Sequence, residues 1–279
     1  MMLVFGQSGQ VAHELAALKP DARFLSRKEA DLSDPERCAA IIAELEPDVV
    51  INAAAYTAVD KAESEEGLAE IVNGQAPAAM ARVCAAITIP FVHISTDYVF
   101  DGSGNEAWRP DDIIAPINAY GRSKAMGEAG VRDSGATHAI LRTSWVFSPH
   151  GNNFVKTMLR LAKDREQLSI VGDQVGGPTP ARAIAEACLV IADRLRADPT
   201  LSGTYHFSGA PDVSWADFAR TIFQEAGRSV RVTDIATSEF PTPASRPGNS
   251  RLDCASLDRF GLTRPQWRDS LRDIIEGQN

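Results

Sequence analysis

Tyr120 and Lys124 stand four residues apart in the run Tyr-Gly-Arg-Ser-Lys. On a helix, that spacing places both side chains on one face. A phenol then lies beside an ammonium group. The cation favours the phenolate and draws the tyrosine down from its ordinary value near ~10. The sequence therefore predicts a Tyr120 of lowered pKa, able to exchange a proton with a carbonyl or alcohol oxygen near neutral pH. The same two residues at the same spacing also describe a solvated helix face, so their chemistry depends on what else the domain carries.

It carries a glycine-rich turn. Gly6 and Gly9, with Ala12, form Gly-x-x-Gly-x-x-Ala between the apolar run Leu3-Val4-Phe5 and a segment whose Val11, Leu15 and Leu18 share one helical face. Glycines let the backbone turn tightly and approach a pyrophosphate, and a helix N-terminus adds amide donors and a favourable dipole. Ala12 is small enough for close helix–strand packing. A dinucleotide at one end and a proton donor at the other make hydride transfer the expected chemistry. A second strand that prefers NAD ends in a carboxylate for the ribose 2′-hydroxyl. Here Phe24-Leu25 runs into Ser26-Arg27-Lys28, a hydroxyl and two cations that suit a 2′-phosphate. NADPH is expected over NADH, with Asp31 and Leu32 flanking the adenine.

The elements that must position these groups alternate along the chain. Short apolar strands are expected at 3–5, 24–25, 48–52, 90–95 and 138–142. Helices are expected from Val11 to Leu18, from Pro35 to Leu45, along an alanine-rich stretch ending near Ala86, and from about Pro116 through Lys124. Such alternation implies an α/β fold, a Rossmann-type doubly wound parallel sheet covered on both faces. Beyond Trp145 the pattern loosens. Helices are expected at 153–163, 181–196, 215–226 and 265–276, and strands at 168–171, 205–207 and 230–235. The run Phe240-Pro-Thr-Pro-Ala-Ser-Arg-Pro-Gly248 excludes regular structure. Residues 1–150, with returning segments near 172–210, read as the nucleotide-binding domain; 151–171 and 211–279 read as a small C-terminal α/β substrate-binding lobe.

Composition narrows the class. The chain has 279 residues, 44% of them hydrophobic, and a net charge of −9, which argues against general nucleic-acid binding. No apolar run reaches membrane-spanning length, and the N-terminus leaves no room for a signal peptide before Gly6. Cys38, Cys84, Cys188 and Cys254 have no metal-ligand spacing and read as packed, reduced thiols of a cytoplasmic protein. The five histidines, His93 and His206 among them, have no ligand spacing either and read as structural.

Together, Gly6-x-x-Gly9, Asn52-Ala-Ala-Ala, Ser95-Thr-Asp-Tyr-Val-Phe100 and Tyr120-x-x-x-Lys124 resemble the extended short-chain dehydrogenases/reductases. Four further segments resemble the dTDP-4-dehydrorhamnose reductases more narrowly: Asn52 to Glu63, Gly151-Asn-Asn-Phe154, Gly172-Asp-Gln-Val-Gly-Gly-Pro-Thr179 and Pro241 to Ser250. The likeness spans nearly the whole chain. It implies NADPH-dependent reduction of the C4″ ketone of dTDP-4-dehydro-L-rhamnose, the last step of dTDP-rhamnose biosynthesis. Other readings stay open: a reductase or epimerase for another deoxysugar nucleotide, or a non-catalytic NADP-binding regulatory subunit.

By this resemblance Tyr120 protonates the sugar oxygen, and Lys124 lowers the Tyr120 pKa and bonds the nicotinamide ribose. Thr96 bonds the same sugar oxygen or the Tyr120 hydroxyl; alternatively it caps the next turn. Gly9, Gln10, Val11, Asp31, Leu32, Ala55, Tyr56 and Thr57 match cofactor-contact positions. Sugar-nucleotide dehydratases carry Thr-Asp-Glu where this chain has Thr96-Asp97-Tyr98, so the second carboxylate for water removal is missing. Asp97 is left to orient sugar hydroxyls or to cap a turn. Trp145 packs against the sugar or serves as core. Arg246 clamps the diphosphate through its guanidinium fork or forms a surface ion pair. Magnesium dependence and a homodimer with acidic residues at its interface are also implied, with Glu14 on the first helix as the one acidic residue in place.

Overall fold

Four apolar residues, Met2–Phe5 (β1), begin the chain, and Gly6 ends them. In the computed structural model, which describes residues 1–277, α1 (Gln10–Leu18) follows, then β2 (Arg23–Leu25). Next come α2 (Pro35–Leu45), capped by Asp34, and β3 (Val49–Asn52). The alanine-rich stretch is not one helix. It breaks into α3 (Val59–Ala62), α4 (Glu66–Glu70), a wide π turn at Ile71–Gln75 and α5 (Ala76–Ala86), with Pro77 in the first turn of α5. Then come β4 (Phe91–Thr96), a 3₁₀ turn at Asp97–Val99 and α6 (Ala119–Asp133). α6 starts later than Pro116 suggests, because the Asn118 side chain accepts from the Gly121 amide at 2.7 Å and fixes the first turn there.

β5 (His138–Thr143), β6 (Val146–Phe147), α7 (Phe154–Leu161), β7 (Gln167–Val171), β8 (Val175–Gly176) and β9 (Thr179–Pro180) follow. The chain continues with α8 (Ala181–Ala197), β10 (Gly203–His206), β11 (Val213–Ser214), α9 (Trp215–Glu225), β12 (Arg231–Ile235), β13 (Asn249–Ser250) and α10 (Trp267–Glu276). Residues 240–248 are irregular.

The main sheet has six strands in the order β10-β5-β4-β3-β1-β2, and every pair is parallel. Parallel strands need helical crossovers, so both faces are covered and both are apolar. Strand residues alternate between two cores. Leu3 and Phe5 pack with Ile41, Ile42 and Met80 on one face; Val4 packs with Leu15, Ile184 and Ile191 on the other. Accordingly α2, α5 and α6 lie side by side on one face, and α1 packs on α8 across the sheet. The strand order reverses between β1 and β3. Their carboxyl ends leave the crevice where doubly wound sheets take ligands. α7, α9 and α10 gather around a third cluster containing Phe147, Phe218 and Trp267, with the parallel pair β7–β12 beside it.

Candidate active site

Gly6 leaves β1 at φ +112°, and a Cβ there would meet the Ala53 backbone at 3.3 Å. Only glycine fits that turn. Above it opens a cavity of about 950 Å³ that runs along the carboxyl ends of the strands. Gly6, Gly9, Gln10 and Val11 line one end. Arg27, Asp31 and Leu32 line it beyond β2, and Ala55, Tyr56 and Thr57 line the wall after β3. Thr96, Asp97, Tyr120, Lys124 and Trp145 line it too. Fifteen separate sequence positions thus meet in one cleft.

Two expected residues do not line it. Ser26 is turned away: its hydroxyl donates to Glu29 Oε2 at 2.7 Å and its amide donates to the same oxygen at 2.9 Å. Arg246 has its fork filled by a carboxylate. Its two terminal nitrogens donate to Asp60 Oδ1 and Oδ2, each at 2.8 Å. This pair ties the proline-rich loop to α3, with Ala244 and Thr242 as further partners. Arg27 keeps its place in the cleft wall, and its Nε donates to Asp31 Oδ2 at 3.1 Å.

At the reactive end, α6 lies close to the 3₁₀ turn because residue 121 is glycine; a Cβ there would sit 2.2 Å from the Tyr98 carbonyl. Tyr120, Lys124 and Glu128 follow at four-residue spacing on α6; β4 answers with His93 and Ser95, and the 3₁₀ turn after it with Asp97. The expected depression of the Tyr120 pKa is not found. Burial pushes the phenol upward, and the neighbouring Thr96 hydroxyl opposes it only in part. The Lys124 ammonium is engaged elsewhere. Lys124 Nζ donates to the Ile94 carbonyl at 2.7 Å and lies 3.2 Å from His93 Nε2, so β4 rather than the phenol holds it. Burial brings Lys124 down to about 8, with the Glu128 charge acting against it.

Thr96 takes both places open to it. Its hydroxyl accepts from the Tyr98 amide at 3.2 Å, capping the turn, and sits beside Tyr120. It also donates to Asp97 Oδ1 at 3.0 Å. Asp97 is 3% exposed, and burial lifts it to about 6. Among the described residues its Oδ2 and the Thr143 hydroxyl on the same wall have no hydrogen-bond partner, although the neighbouring Ser250 hydroxyl draws the Asp97 carboxyl back down in part. Buried polar atoms are ordinarily paired, so both atoms are open to a polar partner in the cleft. Trp145 stands in the left-handed region at φ +48° and stacks on Trp215 with ring centroids 3.5 Å apart. It is packed and cleft-lining at once.

Several site residues escaped the sequence reading. Asn73 in the π turn accepts from the Tyr56 amide at 2.8 Å and donates to the Ser123 hydroxyl at 3.0 Å, fixing the Ala55–Thr57 wall against α6. Trp215 opens a helix of the C-terminal segment far along the chain, and nothing local points it toward Tyr120. His93, read as structural, faces Lys124.

Among the described residues, no three His, Cys, Asp or Glu side chains gather to hold a metal ion. Glu14 is 8% exposed, and its oxygens lie 3.7 Å from His150 Nε2 and 3.8 Å from Arg182 Nη1. The Arg182 guanidinium is the charged partner of Glu14, and magnesium finds no support among the described residues. Among the described residues, no helix is long and apolar enough to cross a membrane.

A glycine turn and a tyrosine–lysine pair set along one cleft of a doubly wound parallel sheet define the extended short-chain dehydrogenase/reductase class. The family model described as RmlD substrate binding domain matches residues 1–279. The chain is 44% identical to a dTDP-4-dehydrorhamnose reductase of Sinorhizobium fredii, over 98% of this chain and 96% of that one. A dTDP-4-dehydrorhamnose reductase of Clostridium acetobutylicum superposes with a TM-score of 0.92 at 35% identity, covering 99% of each chain. The Bacillus anthracis protein of the same name, solved in complex with NADP, superposes with a TM-score of 0.91 at 36% identity, covering 99% of this chain and 98% of that one. The chain belongs to the dTDP-4-dehydrorhamnose reductase family.

Proposed function

We propose that this protein reduces the C4″ ketone of dTDP-4-dehydro-L-rhamnose to the alcohol of dTDP-L-rhamnose with NADPH, closing dTDP-rhamnose biosynthesis. The observation that carries the reading is the convergence of Thr96, Tyr120 and Lys124 on the cleft that the Gly6–Gly9 turn opens. Bound NADPH supplies the hydride. Gly6, Gly9, Gln10 and Val11 hold its pyrophosphate, where backbone amides and the α1 N-terminus favour anions. Arg27 meets the 2′-phosphate, Asp31 and Leu32 flank the adenine, and Ala55, Tyr56 and Thr57 complete the wall.

Tyr120 is the acid. Its raised pKa keeps the phenol protonated at neutral pH, as a proton donor requires. Thr96 orients the phenol and the sugar oxygen. Lys124 opposes the negative charge left on Tyr120 and bonds the nicotinamide ribose. Asp97 takes sugar hydroxyls on its free oxygen, and Trp145 faces the sugar ring. Tyr98 in place of a second carboxylate leaves no residue to remove water between C5 and C6. Arg246 reaches the diphosphate only by leaving Asp60. The setting is the cytoplasm, where the four free, buried cysteines stay reduced. A homodimer is carried over from the resemblance, and light scattering measures it.

The test is turnover by purified protein. With NADPH and dTDP-4-dehydro-L-rhamnose, absorbance of the reduced nicotinamide falls and dTDP-L-rhamnose accumulates mole for mole. An epimerase would recycle its nucleotide without net consumption, and bound NADPH with no turnover would indicate a regulatory subunit.

A further inference from the structure

Behind Lys124 lies a buried polar chain that the reaction as described does not use. Lys124 Nζ is 3.2 Å from His93 Nε2, and His93 Nδ1 is 3.2 Å from Asn52 Nδ2. All three residues are at most 1% exposed. The direction of each bond follows from one fixed donor. The Ala54 backbone amide donates to Asn52 Oδ1 at 3.2 Å, which turns the Asn52 NH₂ toward His93. His93 Nδ1 therefore accepts. A neutral imidazole has one acceptor and one donor nitrogen, and burial keeps His93 well below its ordinary value, with the Lys124 charge adding to this. The imidazole proton is left on Nε2, facing Lys124. An N–H facing an ammonium opposes it; an N–H facing a neutral amine is a hydrogen bond.

We infer that His93, oriented by Asn52, is a positioning residue that presents Nε2–H to Lys124 and stabilises the neutral amine that Lys124 becomes during turnover. The turnover half of this inference rests on the function proposed above. Proton balance is complete. Tyr120 gives its proton to the sugar oxygen as hydride reaches carbon, Lys124 returns a proton to the phenolate, and solvent restores the ammonium. In the interval the amine lone pair accepts from His93, while an amine hydrogen stays on the Ile94 carbonyl.

The other groups around Lys124 do not substitute for this contact. Its own helix presents Tyr120 and Glu128; Glu128 favours the ammonium, but Ser95, Arg132 and Arg142 of β5 hold both its oxygens. Asp97 beyond the end of β4 is engaged by Thr96. On the α3 and α4 side, Glu63 accepts from the Ala119 amide and Glu66 is paired with Arg122. The π turn presents Asn73, which bonds Tyr56 and Ser123.

The test is long-range ¹H–¹⁵N spectroscopy of full-length protein labelled at histidine, with the His93 signals assigned by their loss in His93→Gln. The expected pattern is a neutral ring with a bare Nδ1 and a protonated Nε2. A proton on Nδ1, or an imidazolium, overturns the inference. In Asn52→Asp a carboxylate accepts from Nδ1–H and the tautomer inverts, so Nε2 accepts from the Lys124 ammonium. The Lys124 titration, read from its ¹³Cε shift, then moves upward by about one pH unit or more, and the basic limb of the kcat profile moves with it. An inverted tautomer with an unmoved Lys124 titration also overturns the inference. Should the wild type reduce no sugar nucleotide, the proposed function fails, while the tautomer and the lysine titration still decide this point.

Discussion

Arg142 Nε and Nη2 donate to Glu128 Oε1 and Oε2 at 2.9 and 2.7 Å, directly below the helical turn that carries Lys124. Arg142 is 2% exposed and Glu128 is fully buried. This bidentate pair fixes α6 against β5, and therefore sets where Tyr120 and Lys124 stand over the sheet.

Arg142→Met leaves the Glu128 charge buried with only Arg132 and Ser95 against it. A loss of about 3–5 kcal/mol is expected in urea unfolding. Burial alone would raise the Glu128 carboxyl, but Arg142 overrides this and holds it below the ordinary 4.5. A depressed carboxyl contributes stability that is present above its unfolded value and is lost as pH falls through the folded one. The wild type should therefore weaken in acid, and Arg142→Met should lose that part of the acid dependence. A cost within the ~0–1 kcal/mol of a surface pair would contradict this.

Asp97 runs the opposite way. Its folded value of about 6 lies above the ordinary 3.8, so its favourable contribution exists below 3.8 and is lost as pH rises through about 6. At neutral pH the buried carboxylate, with Oδ2 unpaired, opposes folding. Asp97→Asn should raise the neutral-pH stability of the ligand-free protein by on the order of 1–3 kcal/mol, and by less near pH ~4. The same change should raise KM for the sugar nucleotide about tenfold. Melting curves at two pH values with a KM measurement check both halves; an unchanged KM removes Asp97 from the sugar site.

Arg27 projects from the cleft wall and is 78% exposed, paired with Asp31. Arg27→Ala should weaken NADPH by about tenfold and NADH far less, since only NADPH offers a phosphate to a guanidinium. Competition titrations with both nucleotides measure this. Equal weakening would remove the 2′-phosphate from Arg27.

What was legible in the sequence was what local pattern encodes. β1, Gly6 and the first helix follow from an apolar run, a glycine and a 3.6-residue period, and the parallel sheet follows from their repetition. Tyr120 and Lys124 were found because helix spacing puts them on one face. What that face meets was not legible. The Ile94 carbonyl, 30 residues away, takes the Lys124 ammonium and burial raises the Tyr120 phenol, so spacing alone does not lower its pKa. Asp60 fills the fork of Arg246 from 186 residues away, and no periodicity reports such a pairing. Ser26 reads as a phosphate ligand until Glu29, three residues on, takes its hydroxyl.

The central claim is that Tyr120 delivers the proton that completes reduction. Tyr120→Phe keeps the ring that meets Tyr98 edge-on, with centroids 5.8 Å apart, and removes only the hydroxyl. NADPH binding, read by nucleotide fluorescence, and kcat with dTDP-4-dehydro-L-rhamnose should be measured on one preparation. NADPH affinity should be unchanged and kcat lower by about 10²–10⁴-fold. A kcat near that of the wild type would contradict it.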